Sequence, residues 1–202
     1  MTTLTVALAV TTTPTRAAAH HVGTYTARDN EISQNFKQIK FALQARKVDV
    51  AAKLFDEGAV RREMKAQAAR LPAGLEARTQ AALREGDVPR AEAGLAALFA
   101  ALARDLAVEA DRKVVDPASD PQARIAAASR FLDAIWRYWN LIDFVASQRD
   151  PKAAVAIRLA FDEAETFTRG KDAARLRAPL ARITQTLDGV VRTLETVTRR
   201  DS

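Results

Sequence analysis

The sequence predicts an all-α protein, a single-domain helical bundle of six to seven antiparallel helices, and two observations carry that expectation. From Ile32 to Val197 the apolar residues recur at intervals of three and four and never alternate for long, the period of helix faces and not of strands. The segments with this period are separated by Asp, Asn, Pro and Gly, the residues that start and stop helices. Composition agrees, because much of the 48% apolar content is alanine while Gly and Pro number only seven each, so few positions resist a helix.

Three regions are expected. Residues 1–19 read as a signal peptide or a leader, 20–30 as a flexible segment and 31–200 as the bundle domain. The leader has an apolar run from Leu4 to Val10 and a small-residue cleavage site, Ala17-Ala18-Ala19, but it lacks a positive start. Export to the periplasm is the leading expectation and a cytoplasmic protein the alternative.

Asp29 or Asn30 can cap a first helix over residues 31–45, whose seam is Ile32, Phe36, Ile39 and Leu43. Asp49 can cap a second that runs to Leu71-Pro72, weakened in its middle by Gly58. A short helix over 75–85 stops at Gly86, and Asp87 with Pro89 restarts the chain through Leu95, Leu98, Leu102 and Leu106. Asp120-Pro121 and Asp150-Pro151 each supply a cap and a first-turn proline to the next two helices, and Gly170 ends the second of these. The last helix carries a heptad seam, Leu176, Leu180, Ile183, Leu187, Val190, Leu194 and Val197. Pro179 in that helix predicts either a kink or a start at that point. Two stretches, from Ala42 and from Ala82, echo one another as helix end, turn and helix start. The second resembles the turn of a tetratricopeptide-type hairpin, although the Trp, Gly and Pro positions of that repeat are not filled at a fixed period.

The helix over 121–148 holds both tryptophans and has an apolar arc of about half its circumference, so it is expected to be the central element. Asp143 breaks its seam and is expected either to pair with an arginine of a neighbouring helix or to reach the helix edge. If that pair were buried, removing the carboxylate would cost about 3–5 kcal/mol. The alternative is a perturbed acid in a groove for a ligand or partner, formed by Trp136, Tyr138, Trp139 and Asp143.

Other chemistry is sparse. With no cysteine, thiolate metal sites and cysteine nucleophiles are excluded, and no phosphate-binding Gly-rich loop or Gly-x-Ser-x-Gly motif occurs. Both histidines are adjacent, His20-His21; cleavage after Ala19 would place an α-amine beside two imidazoles, nitrogen donors that suit copper. Iron would need carboxylates. The densest group, Asp162, Glu163 and Glu165, has Arg158 and Arg169 four residues away and reads as surface salt bridges. A net charge of +6 arises from 31 basic against 25 acidic residues interleaved along the chain, without the aromatic spacing of a nucleic-acid site. No stretch is apolar enough to span a membrane.

These observations give one leading expectation, a non-enzymatic periplasmic binding or accessory protein that acts on a protein partner or small ligand as a monomer or homodimer. It needs no cofactor. The alternatives are a periplasmic copper- or iron-handling protein and a cytosolic adaptor or regulator.

Overall fold

The computed structural model describes residues 30–199, and among them every regular element is an α-helix. There are eight: α1 (Glu31–Gln44), α2 (Val48–Asp56), α3 (Ala59–Ala66), α4 (Leu75–Glu85), α5 (Val88–Val114), α6 (Pro121–Arg149), α7 (Pro151–Arg169) and α8 (Ala173–Thr198). Helices α5, α6, α7 and α8 pack as a ring in which each touches the next and α8 closes back on α5. Helices α1–α4 form a smaller layer that reaches the ring through α4 and α1. Directions follow from side-chain pairs. Arg104 meets Asp188 while Asp111 meets Arg177, so α5 and α8 run antiparallel. Trp136 meets Phe161 while Asp143 meets Arg158, so α6 and α7 do the same.

The caps explain most boundaries. Asn30, Asp87, Asp120, Asp150 and Asp172 each accept a hydrogen bond from the backbone N–H three residues on, which satisfies one of the free donors at a helix start. Asp49 does not play this part. Lys47 occupies the cap position of α2 without a side-chain bond, and Asp49 lies inside the first turn. Helix α8 starts at Ala173, capped by Asp172, rather than at Pro179, which is buried within it.

The eighth helix arises because the expected second helix is two. Gly58 adopts an extended ψ of 172°, and the chain restarts as α3 at Ala59. Asn35 of α1 spans the break, since its Nδ2 donates to the Leu54 carbonyl at 3.0 Å and its Oδ1 accepts from the Val60 amide at 2.9 Å. One side chain thus caps the end of α2 and the start of α3. A methyl group at residue 58 would stand 2.2 Å from Asn35 Oδ1 and from the Leu54 carbonyl, so the break requires glycine.

The echoing stretches share one turn. Lys47 donates to the Ala42 carbonyl at 2.8 Å and Asp87 to the Ala82 carbonyl at 2.9 Å, with Arg46 and Gly86 in the left-handed region. A third copy joins α7 to α8, where Asp172 donates to the Phe167 carbonyl at 2.9 Å around left-handed Lys171. This is the six-to-one bond of a Schellman closure.

The most enclosed helix is α5, not α6. Every residue from Ala93 to Ala103 is buried, whereas α6 keeps an exposed outer face. Small side chains bring its neighbours close; a Cβ on Gly94 would lie 2.1 Å from the Thr79 hydroxyl of α4. Phe99 carries the packing outward, 4.8 Å from the Phe36 ring and 5.4 Å from the Tyr138 ring, both edge-on.

A polar network ties α2, α3 and α4. Arg61 bonds Glu76 at 2.5 Å and Asp56 at 3.0 Å, and Asp56 also accepts from Gln80 and Arg84. Burial pushes the Asp56 carboxyl up, but the bonds from Gln80 and Arg84 and the charges of Arg61 and Arg84 outweigh it and hold the group below the usual carboxylate value.

Two stability predictions follow from these contacts. Asn35→Ala strands a buried N–H and a carbonyl and should cost about 2–4 kcal/mol, read by denaturant unfolding. A carboxyl with a depressed folded pKa stabilises above its unfolded value of about 3.9 and loses that contribution as pH falls through the folded value. Thermal melts should therefore place Asp56→Asn below wild type at neutral pH, with the gap closing in acid below about pH 4.

Candidate interaction surface

Helix α6 turns by 100° per residue, so adjacent residues cannot share a wall. Trp139 is fully buried, and its indole N–H has no hydrogen-bond partner. Tyr138 is buried on the next flank, against Phe99 of α5, with its hydroxyl accepting from Asn30 Nδ2 at 2.9 Å. Trp136 and Asp143, two turns apart, face α7 instead. The Trp136 ring meets Phe161 edge-on at 5.0 Å and stays 37% exposed. Asp143 accepts from Ser147 at 3.2 Å and pairs with Arg158 of α7 at 2.5 Å. The structure therefore brings Trp136 and Asp143 to one edge and turns Tyr138 and Trp139 inward. His20 and His21 lie outside the described residues.

The Asp143 pair is at the rim and not in the core. Its side chains are 29% and 51% exposed, so water competes for both charges.

Beyond that edge stand residues which the sequence reading passed over. Phe144 of α6 and Val155 and Leu159 of α7 are 66%, 56% and 62% exposed. Half of the large exposed apolar side chains among the described residues, these three and Trp136, sit on the α6–α7 hairpin. A signal for Phe144 existed, since it falls at the back of the helix among Arg137 and Asn140, where an aromatic has no core to fill.

The acidic group on α7 divides. Glu165 pairs with Arg169 at 3.4 Å, as its spacing suggests, but Glu163 reaches across to Arg182 of α8. Arg158 is engaged by Asp143, so Asp162 does not receive it. The arginine-rich last helix is similarly occupied: Arg177 bonds Asp111, and Arg175 lies 4.4 Å over the Phe167 ring.

An open cleft of about 460 Å³ lies between α1, α2 and α3, walled by Gln34, Gln38, Lys53, Glu57 and Arg62 among others. Within it Arg62 pairs with Glu31 and donates to the Glu57 backbone carbonyl. Among the described residues no three His, Cys, Asp or Glu side chains form a group that could hold a metal, and no helix is long and apolar enough to cross a membrane. Compared with known proteins, the chain matches no family model, no curated protein and no solved structure.

The exposure of the Asp143–Arg158 pair sets its energetic weight. Asp143→Ala should stay within about 1 kcal/mol of wild type in thermal or denaturant unfolding, the range of exposed ion pairs, in place of the larger loss expected for a buried one.

Proposed function

We propose that the chain is a non-enzymatic binding or accessory bundle, exported to the periplasm, which engages a protein partner through the outer face of the α6–α7 hairpin. The observation that carries this reading is the exposure of Trp136, Phe144, Val155 and Leu159 on a hairpin whose inner face is already filled by the core. Apolar surface of this kind is costly to leave in water and marks contact sites. The face is the outside of two helices rather than a concave pocket, which favours a macromolecule over a small ligand. Trp136 and Asp143 belong to its edge, while Tyr138 and Trp139 support it by fixing α6 against α1 and the core.

The non-enzymatic reading is supported by the sequence, which has no cysteine nucleophile, no Gly-rich phosphate loop and no Gly-x-Ser-x-Gly motif. Export rests on the apolar run and Ala17-Ala18-Ala19.

A photo-crosslinking side chain placed at residue 144, with residue 41 as control, tests the surface in producing cells. Phe41 is 72% exposed but stands on α1, away from the hairpin. A discrete adduct from position 144 and none from 41 is expected, and its loss in Leu159→Glu. Equal, diffuse labelling from both positions would defeat the reading. Intact masses from the same material should show a chain that starts at His20.

A further inference from the structure

Helix α7 has three outward-facing rows of side chains, and two of them are tied down. Arg158 on one flank is held by Asp143 of α6, and Glu163 on the other by Arg182 of α8. Between them runs a crest of Lys152, Val155, Leu159 and Asp162, all exposed. Its spacing of three, four and three is that of a helix-pairing seam. Among the described residues neither Lys152 nor Asp162 has a salt bridge.

The crest is complementary to itself. Reversed about residue 157, Lys152 falls on Asp162 and Val155 falls on Leu159, so both the charged and the apolar positions find suitable partners under a single two-fold operation. Because Asp143 pairs with Arg158 and α6 and α7 run antiparallel, Phe144, the next residue of α6, lies at about the height of that same midpoint and is exposed. No other partner has to be supplied for this pattern to close.

We propose that a second copy of this chain covers the α7 crest in an isologous, antiparallel α7–α7 contact, with Lys152 of one copy on Asp162 of the other, Val155 on Leu159, and Phe144 closing the flank. This identifies the partner for the interaction face described above and rests on that reading. Antiparallel helices with this spacing cross at a shallow angle of about 20°. Ten residues of helix span about 15 Å, so the seam is short and the dimer weak.

Sedimentation velocity of the full chain over a dilution series tests it. Wild type should pass from monomer to dimer, and Leu159→Glu and Val155→Glu should each remain monomeric with unchanged helicity, since both residues are exposed. Lys152→Glu alone and Asp162→Lys alone should each weaken the dimer about tenfold, because the two-fold axis makes every change act twice. The double variant K152E/D162K should restore it. A wild type that stays monomeric up to about 1 mM overturns the proposal, as does a dimer indifferent to Leu159→Glu or a double variant no better than the singles. A monomeric chain whose residue-144 probe still gives an adduct of another mass would remove the second copy while leaving the interaction face standing. In the expected case the adduct has twice the mass of the chain.

Discussion

From Ala93 to Ala103 every residue of helix α5 is buried, and the packing of the other helices follows from that requirement. A helix apolar on every side must be enclosed on every side. Ring neighbours α6 and α8 flank it, and the smaller layer contributes α4 and α1. Only Leu95, Leu98, Phe99 and Leu102 are large in that stretch; the remainder are alanine and glycine, which let neighbouring backbones approach. Gly94 against Thr79 is one of these crossings, and it leaves no room for a methyl group. The heptad seam of α8 is used in the same way, its leucines, isoleucine and valines buried within the bundle.

Polar groups are placed so as not to disturb this arrangement. Asn35 is buried, but both of its hydrogen-bonding ends serve backbone groups at a helix break. Most ion pairs join neighbouring helices at their rims, as Arg104 does with Asp188 and Arg182 with Glu163. Such pairs contribute little each in high dielectric.

The exposed apolar face of α6 and α7 is a product of the same packing. Helices α6 and α7 belong to the ring but have neighbours on fewer sides than α5, so their outer faces stay in solvent. Polar side chains would suffice there, and Phe144, Val155 and Leu159 are not polar. Their exposure costs solvation free energy that contact with the proposed partner would recover, and the neighbouring Arg158 and Glu163 are already committed within the chain.

The sequence by itself determined the helical class and most helix boundaries, because both depend on short-range physics. Period-3.6 apolar spacing and capping by Asn30, Asp87, Asp120 and Asp150 act within a turn or two of the chain. The break at Gly58 was only half legible: glycine marks a weak point, but the Asn35 side chain that stabilises two helix ends there comes from another helix. The primacy of α5 could have been read from its uninterrupted apolar stretch, which the richer aromatic content of the 121–148 helix obscured. What only the tertiary structure decided is which side of each helix remains uncovered and which charge meets which. Asp143 meets Arg158 at a rim rather than in a core, Arg158 is drawn away from Asp162, and Trp136 parts from Trp139, since each outcome depends on the rotation and offset of one helix against another. Those quantities are set by side-chain packing across the whole bundle, to which no local stretch of sequence has access.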